Sequence, residues 1–210
     1  KTEETIVTPQ RLLATACAGD IKPPAEDEEE PPVTTDPGEG VRDPHFTSTP
    51  PERGVVTTVV DAHVEGTWVY LDLDTGRELT PQSPASAPDW DLAFMRFQVK
   101  SNGGISGTGG VEAVKLPGAD FATVTKAPEA GWIVDAEDSD DDQAEPDYVF
   151  LTDGHWYDYD LSTHALTAAD QVYVVNTTGE AFFKIRFLGY YDDAGSAGFP
   201  SFKWAPVDAP

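Results

Sequence analysis

Short runs of β-branched and aromatic residues, each closed by turn residues, set what this chain can fold into. Val55-Val-Thr-Thr-Val-Val60, Thr67-Trp-Val-Tyr-Leu-Asp-Leu73 and Phe183-Lys-Ile-Arg-Phe187 are the clearest examples. Alternation with period two sends successive side chains to opposite faces, as a half-buried strand requires. No segment holds a helical period for more than a turn or two. Many short strands at close spacing predict an all-β fold: a single domain of short antiparallel strands. Further strand candidates are residues 111–116, 121–126, 148–151, 155–161, 172–175 and 201–204. Asp74-Thr75-Gly76 matches the short motif of aspartic proteases, but that chemistry needs two such carboxylates, and no second copy occurs. Between residues 67–73 and the return run 77–80, it reads as a hairpin turn.

The run Trp90-Asp-Leu-Ala-Phe-Met-Arg-Phe97 breaks simple alternation. Trp90, Leu92 and Phe94 share one face, whereas Ala93, Met95, Phe97 and Val99 share the other. Such a phase switch predicts a strand buried on both faces, or a bulge that re-aims it. Trp90, Phe94, Phe97, Phe183, Ile185 and Phe187 are the expected core, with Lys184 and Arg186 on an outer face. Arg96 is expected to tie the strand to a carbonyl or an acidic loop. The Gly-rich stretch 102–110 lacks the Lys-Ser/Thr of a phosphate-binding loop and reads as a flexible hairpin or binding-face loop.

Charge narrows the partners. Lys and Arg total 13 against 38 Asp and Glu, a formal net charge of -25 in 210 residues. That field repels nucleic acid and anionic headgroups and suits solvation, divalent cations or a basic partner. Residues 135–147 are dense in carboxylates but lack the central Gly and closing Glu of an EF-hand loop, so they read as a solvated acidic loop. Residues 18–53 are acidic and Pro-rich with little to bury, which predicts an extended linker. The organisation expected is a signal-like segment at 1–17, the linker at 18–53 and the β domain at 54–210.

Cys17 is the single cysteine, so these residues form no internal disulfide. Arg11-Leu-Leu-Ala-Thr-Ala-Cys17 places a basic residue, a short apolar run and small residues before it, like the end of a bacterial lipoprotein signal. Cys17 is therefore the candidate lipidation site, with the linker as a spacer holding the domain off a membrane. No apolar run approaches the length of a membrane span.

The histidines are His45, His63, His155 and His164. His155 and His164 lie close in sequence, beside Trp156, Tyr157 and Tyr159. A flat porphyrin needs a nitrogen or sulfur axial ligand and aromatic or apolar walls. His155, His164 and Met95 are the donors available for haem, and Met95 falls on a face that reads as core. No nucleophile elbow or metalloprotease helix is present, and the chain reads as a non-enzyme.

In order, these segments resemble the HmuY-like family of bacterial surface lipoproteins. The similarity rests on Trp68-Val-Tyr-Leu71, on residues 90–97 with the Gly-rich loop after them, on residues 172–191 and on residues 198–204. It covers about residues 54–207. The resemblance implies an all-β, cell-surface or outer-membrane lipoprotein that captures haem for an outer-membrane receptor, using two histidines or methionines as axial ligands. The family's upstream ligand position falls in residues 135–147, which hold neither His nor Met. The other falls near Asp160 and Leu161, bracketed by His155 and His164. Two functions are therefore expected: a haem-binding surface lipoprotein, or an envelope accessory protein that keeps the fold without haem.

Overall fold

The computed structural model describes residues 43–139, 146–152 and 154–210. The strands run β1 (Phe46–Ser48), β2 (Val56–Val60), β3 (Val69–Asp72) and β4 (Arg77–Leu79). They continue with β5 (Leu92–Met95), β6 (Gln98–Ser101), β7 (Glu112–Pro117) and β8 (Tyr157–Asp160). The last four are β9 (Ala165–Ala168), β10 (Gln171–Asn176), β11 (Phe182–Tyr191) and β12 (Ala197–Pro206). Every strand pairing is antiparallel. The fold is all-β, and one 3-10 turn at Pro84–Ser86 is the sole helical element among the described residues.

Six strands form one sheet in the order β1-β2-β12-β11-β10-β7, four form a second in the order β4-β3-β5-β6, and β8-β9 is a separate hairpin. The two larger sheets enclose a core of aromatic side chains. Phe94 on β5 stacks on Phe202 on β12, with ring centroids 5.5 Å apart and planes 8° from parallel. Phe46 meets the edge of Phe94 at 6.0 Å. Such contacts add to the burial of large apolar surfaces, which drives the two sheets together.

The phase switch in residues 90–97 has two causes. Leu92, Ala93 and Phe94 are all buried, so β5 is covered on both faces. The strand then ends at Met95, which pairs with Gln98, and Arg96-Phe97 forms a two-residue hairpin loop. Arg96 takes a left-handed φ of 54°, and its guanidinium donates to the His63 carbonyl at 3.2 Å. Phe97 is consequently half-buried, unlike the five other expected core residues, all of which are buried.

Four sequence expectations need correcting. Residues 121–126 and 148–151 are turns and loop, not strands. The first segment lies over the outer face of the large sheet, where Phe121 packs with Val172 and Ala205. Lys184 is therefore buried, and its amine donates to the carbonyls of Phe121 and Val124 at 2.8 Å each. The ordered domain also starts before Gly54. β1 pairs with β2, Phe46 is buried, and Arg77 grips the Asp43 carboxylate at 2.6 Å. A three-residue strand is too short to show alternation inside an acidic, Pro-rich stretch. Finally, the Gly-rich loop is packed around Asn102, which is fully buried. The Asn102 amide donates to the Ala87 and Trp90 carbonyls, and its oxygen accepts from the Gly109 N–H. A Cβ on Gly107 would sit 1.9 Å from that oxygen, which is why glycine stands there. Residues 1–42, Cys17 included, and residues 140–145 of the acidic run lie outside the described residues.

Phe94→Ala should lower the unfolding free energy by about 3–5 kcal/mol, as large core truncations do. Phe97→Ala should cost clearly less. Urea denaturation of the two variants checks this; equal losses would place Phe97 in the core after all.

Candidate functional site

The β8-β9 hairpin carries both candidate histidines. Its strands are in register from Tyr157 opposite Ala168 to Asp160 opposite Ala165. Alternation puts Tyr157, Tyr159, Leu166 and Ala168 on one face, and Asp158 and Thr167 on the other. The first face turns towards the body of the protein. Tyr157, Leu166 and Ala168 pack on the core, whereas Asp158 and Thr167 are exposed. Towards the tip, this face runs out past the core, so Tyr159 is 47% exposed and Leu161 is 81% exposed.

Asp160 closes the tip. Its carboxylate accepts from the Ser162 N–H at 2.7 Å, the Ser162 hydroxyl at 2.6 Å and the Thr163 N–H at 3.2 Å, an Asx-type turn. The His164 N–H donates to the Asp160 carbonyl at 2.8 Å, and His164 adopts a left-handed φ of 57°. That geometry brings the His164 ring to the Tyr159 hydroxyl, which lies 2.5 Å from Nδ1. On the body side, the Leu166 N–H donates to the Tyr191 hydroxyl at 3.0 Å, and Tyr191 is itself partly exposed.

His155 stands at the other end of the hairpin. Its ring packs on Tyr157 at 4.9 Å, and its carbonyl accepts from the Gln171 amide at 2.7 Å. β8 alone spans about 10 Å at the usual strand rise, so the hairpin holds His155 and His164 apart. Met95 is half-buried on β5, in the other sheet. Trp156, which flanks His155 in sequence, is fully buried. Its indole N–H donates to the Phe97 carbonyl at 2.8 Å, and its ring stacks on Phe187 at 4.5 Å.

Sequence reasoning missed two buried carboxylates, Asp91 and Asp135. Asp91 accepts the Leu73 N–H at 2.7 Å and the Thr178 N–H at 2.8 Å, which ties the four-stranded sheet to the loop between β10 and β11. Asp135 accepts the Ser101 N–H at 2.8 Å and the Val149 N–H at 2.9 Å, which ties β6 to the segment leading into β8. Burial pushes each up to about 6, against the opposing pull of those N–H donors. A single Asp before a strand, like Asp91, or in a long loop, like Asp135, gives no sign in sequence that both its oxygens will be taken by backbone. Asp72, Asp74 and Asp91 form an acidic cluster whose oxygens lie within 4.8 Å of one another. Its members already accept bonds from Thr75, Thr177, Thr178 and backbone N–H groups, and Asp74-Thr75-Gly76 lies in the β3-β4 turn.

The model of the HmuY protein family matches residues 65–204. This chain belongs to the HmuY family. No curated protein matches it at a significant level. Among solved structures, the apo HmuY analogue of Tannerella forsythia is 18% identical with a TM-score of 0.56, covering 72% of this chain and 94% of that one. A Bacteroides vulgatus protein named for HmuY-like heme binding is 20% identical with a TM-score of 0.54, covering 77% and 96%. A Bacteroides fragilis protein named as a lipoprotein is 19% identical with a TM-score of 0.53, covering 77% and 95%. At these identities the likeness is one of fold. The HmuY-family β domain here thus has a core shared by two sheets and a hairpin tip that projects beyond it.

The two buried aspartates make stability depend on pH. An unfolded aspartate titrates near about 3.9, so the native state binds protons that the unfolded state does not between about 6 and 4. Stability from these groups therefore rises as pH falls through that window, by up to about 1.4 kcal/mol per pH unit for each. Relief of the net negative charge acts in the same direction. Urea midpoints measured from pH 7 to 4.5 should rise, and Asp91→Asn or Asp135→Asn should flatten the slope even where overall stability drops. An unchanged slope in both variants would contradict the assignment.

Proposed function

We propose that this HmuY-family chain is a haem-binding protein of the bacterial cell surface, not an enzyme, and that it takes its ligand at the tip of the β8-β9 hairpin. The observation that carries this reading is the tip itself. The His164 imidazole meets the Tyr159 hydroxyl there, and Leu161, in the same turn, is 81% exposed. Exposed apolar groups beside a nitrogen donor suit a flat, apolar, metal-bearing ligand better than they suit solvent. Support for haem as that ligand comes from the family and from the B. vulgatus protein named for HmuY-like heme binding. The lipoprotein name of the B. fragilis protein supports an anchor, which here would be lipid on Cys17. In this reading haem is passed on to an outer-membrane receptor.

The donors fit one axial ligand better than two. His164 stands at the tip against Tyr159, whereas His155 is at the far end of the hairpin and packs on Tyr157. His164 is the ligand we assign, and His155 belongs to the base of the hairpin. The separation of the two imidazoles also favours a second reading: an envelope accessory protein that keeps the fold without haem.

Haemin titration followed at the Soret band separates the readings. Wild type and His155→Ala should titrate alike, and His164→Ala should bind at least about ten-fold more weakly. A low-spin spectrum lost in either single variant would mean that both histidines ligate. The same weak response in all three proteins would favour the accessory reading.

A further inference from the structure

We propose that Tyr159 is a positioning residue that orients the His164 ring and leaves Nε2 as its ligand-facing nitrogen. This inference rests on the reading of the hairpin tip as the haem site. The geometry is local and specific. Tyr159 is on β8, and His164 is five residues later at the end of the turn that Asp160 pins. The left-handed φ of 57° at His164 swings its side chain back over the strand, where Nδ1 meets the Tyr159 hydroxyl at 2.5 Å. Both side chains are exposed, so burial does not demand this bond. Water would satisfy either group as well. What the bond does is hold the ring in one orientation, with Nε2 on the side away from the tyrosine.

A phenol suits this task because it both donates and accepts. The hydroxyl can donate to Nδ1 when the ring proton sits on Nε2, or accept from Nδ1–H when Nε2 is bare, so the contact holds the ring in either tautomer. An imidazole that coordinates through Nε2 must carry that proton on Nδ1, since a ligating nitrogen is unprotonated. In that Nδ1–H tautomer the Tyr159 hydroxyl would accept from the ring and leave Nε2 free to ligate. Phenylalanine would keep the aromatic surface and lose both roles.

Two measurements test this. The first needs no haem. In the ligand-free protein, the Nδ1 nitrogen resonance of His164 should move when Tyr159 becomes Phe. An unchanged resonance would overturn the proposal whatever the protein binds. The second is a double-variant cycle of haemin affinity. Tyr159→Phe should weaken binding about ten-fold, within the range seen for lost partners of ligating histidines. In the His164→Ala background it should have no further effect. Equal losses in both backgrounds would show that Tyr159 touches the porphyrin directly, which would overturn its action through His164. If His164→Ala binds haemin like wild type, the assignment of the ligand fails, and the resonance measurement still decides the tyrosine–histidine pair.

Discussion

The burial of Trp156 is the contact on which the rest of the molecule's presentation depends. Its indole N–H bonds to the carbonyl of Phe97, in the β5-β6 turn of the four-stranded sheet. Its ring stacks on Phe187 of β11, in the six-stranded sheet. A single side chain therefore spans from one sheet to the other at the foot of the β8-β9 hairpin. A two-stranded hairpin is marginal by itself in water. This one is held because its first residues are fastened into the shared core while its tip stays outside. Tyr157 extends that attachment by meeting the edge of Phe97 at 5.8 Å.

Around that anchor, the acidic chain uses a few carboxylates as structure. Asp91 and Asp135 each give both oxygens to backbone N–H groups from different segments. Asp135 fixes Val149, in the segment that runs into the hairpin, so the approach to the hairpin is tied to β6. Lys100, beside these groups, lies over the ring of Trp68 at 4.2 Å and is held below the usual lysine range by burial. A formal charge of -25 is thus compatible with a dense core, because among the described residues the buried charges Asp91, Asp135 and Lys184 are bonded.

Much of the fold was legible in sequence because its signal is period two. Residues 55–60, 67–73 and 183–187 alternate and become strands, and the family resemblance orders them correctly. Alternation fails where a second layer covers a sheet. Lys184 looks like an outward charge on its own strand, and only the loop at 119–127 folded over that face makes it a buried amine. Phe121 and Val124 are apolar because they cover a sheet, not because their segment joins one. The site was legible in part. His164, Tyr159 and Leu161 could be named from the sequence, but their bond depends on a turn that sends His164 back over the strand. The burial of Trp156 was not legible for the same reason: nothing in its neighbours shows that two sheets enclose it.

The central claim is that the projecting hairpin tip, and no other surface, receives the ligand. Amide chemical-shift mapping on addition of a diamagnetic zinc porphyrin tests it most directly. The account predicts shifts centred on Tyr159, Leu161, His164 and Tyr191, with little change around Asn102 and Gly107. Shifts centred on the Gly-rich loop, with the hairpin tip silent, would contradict it.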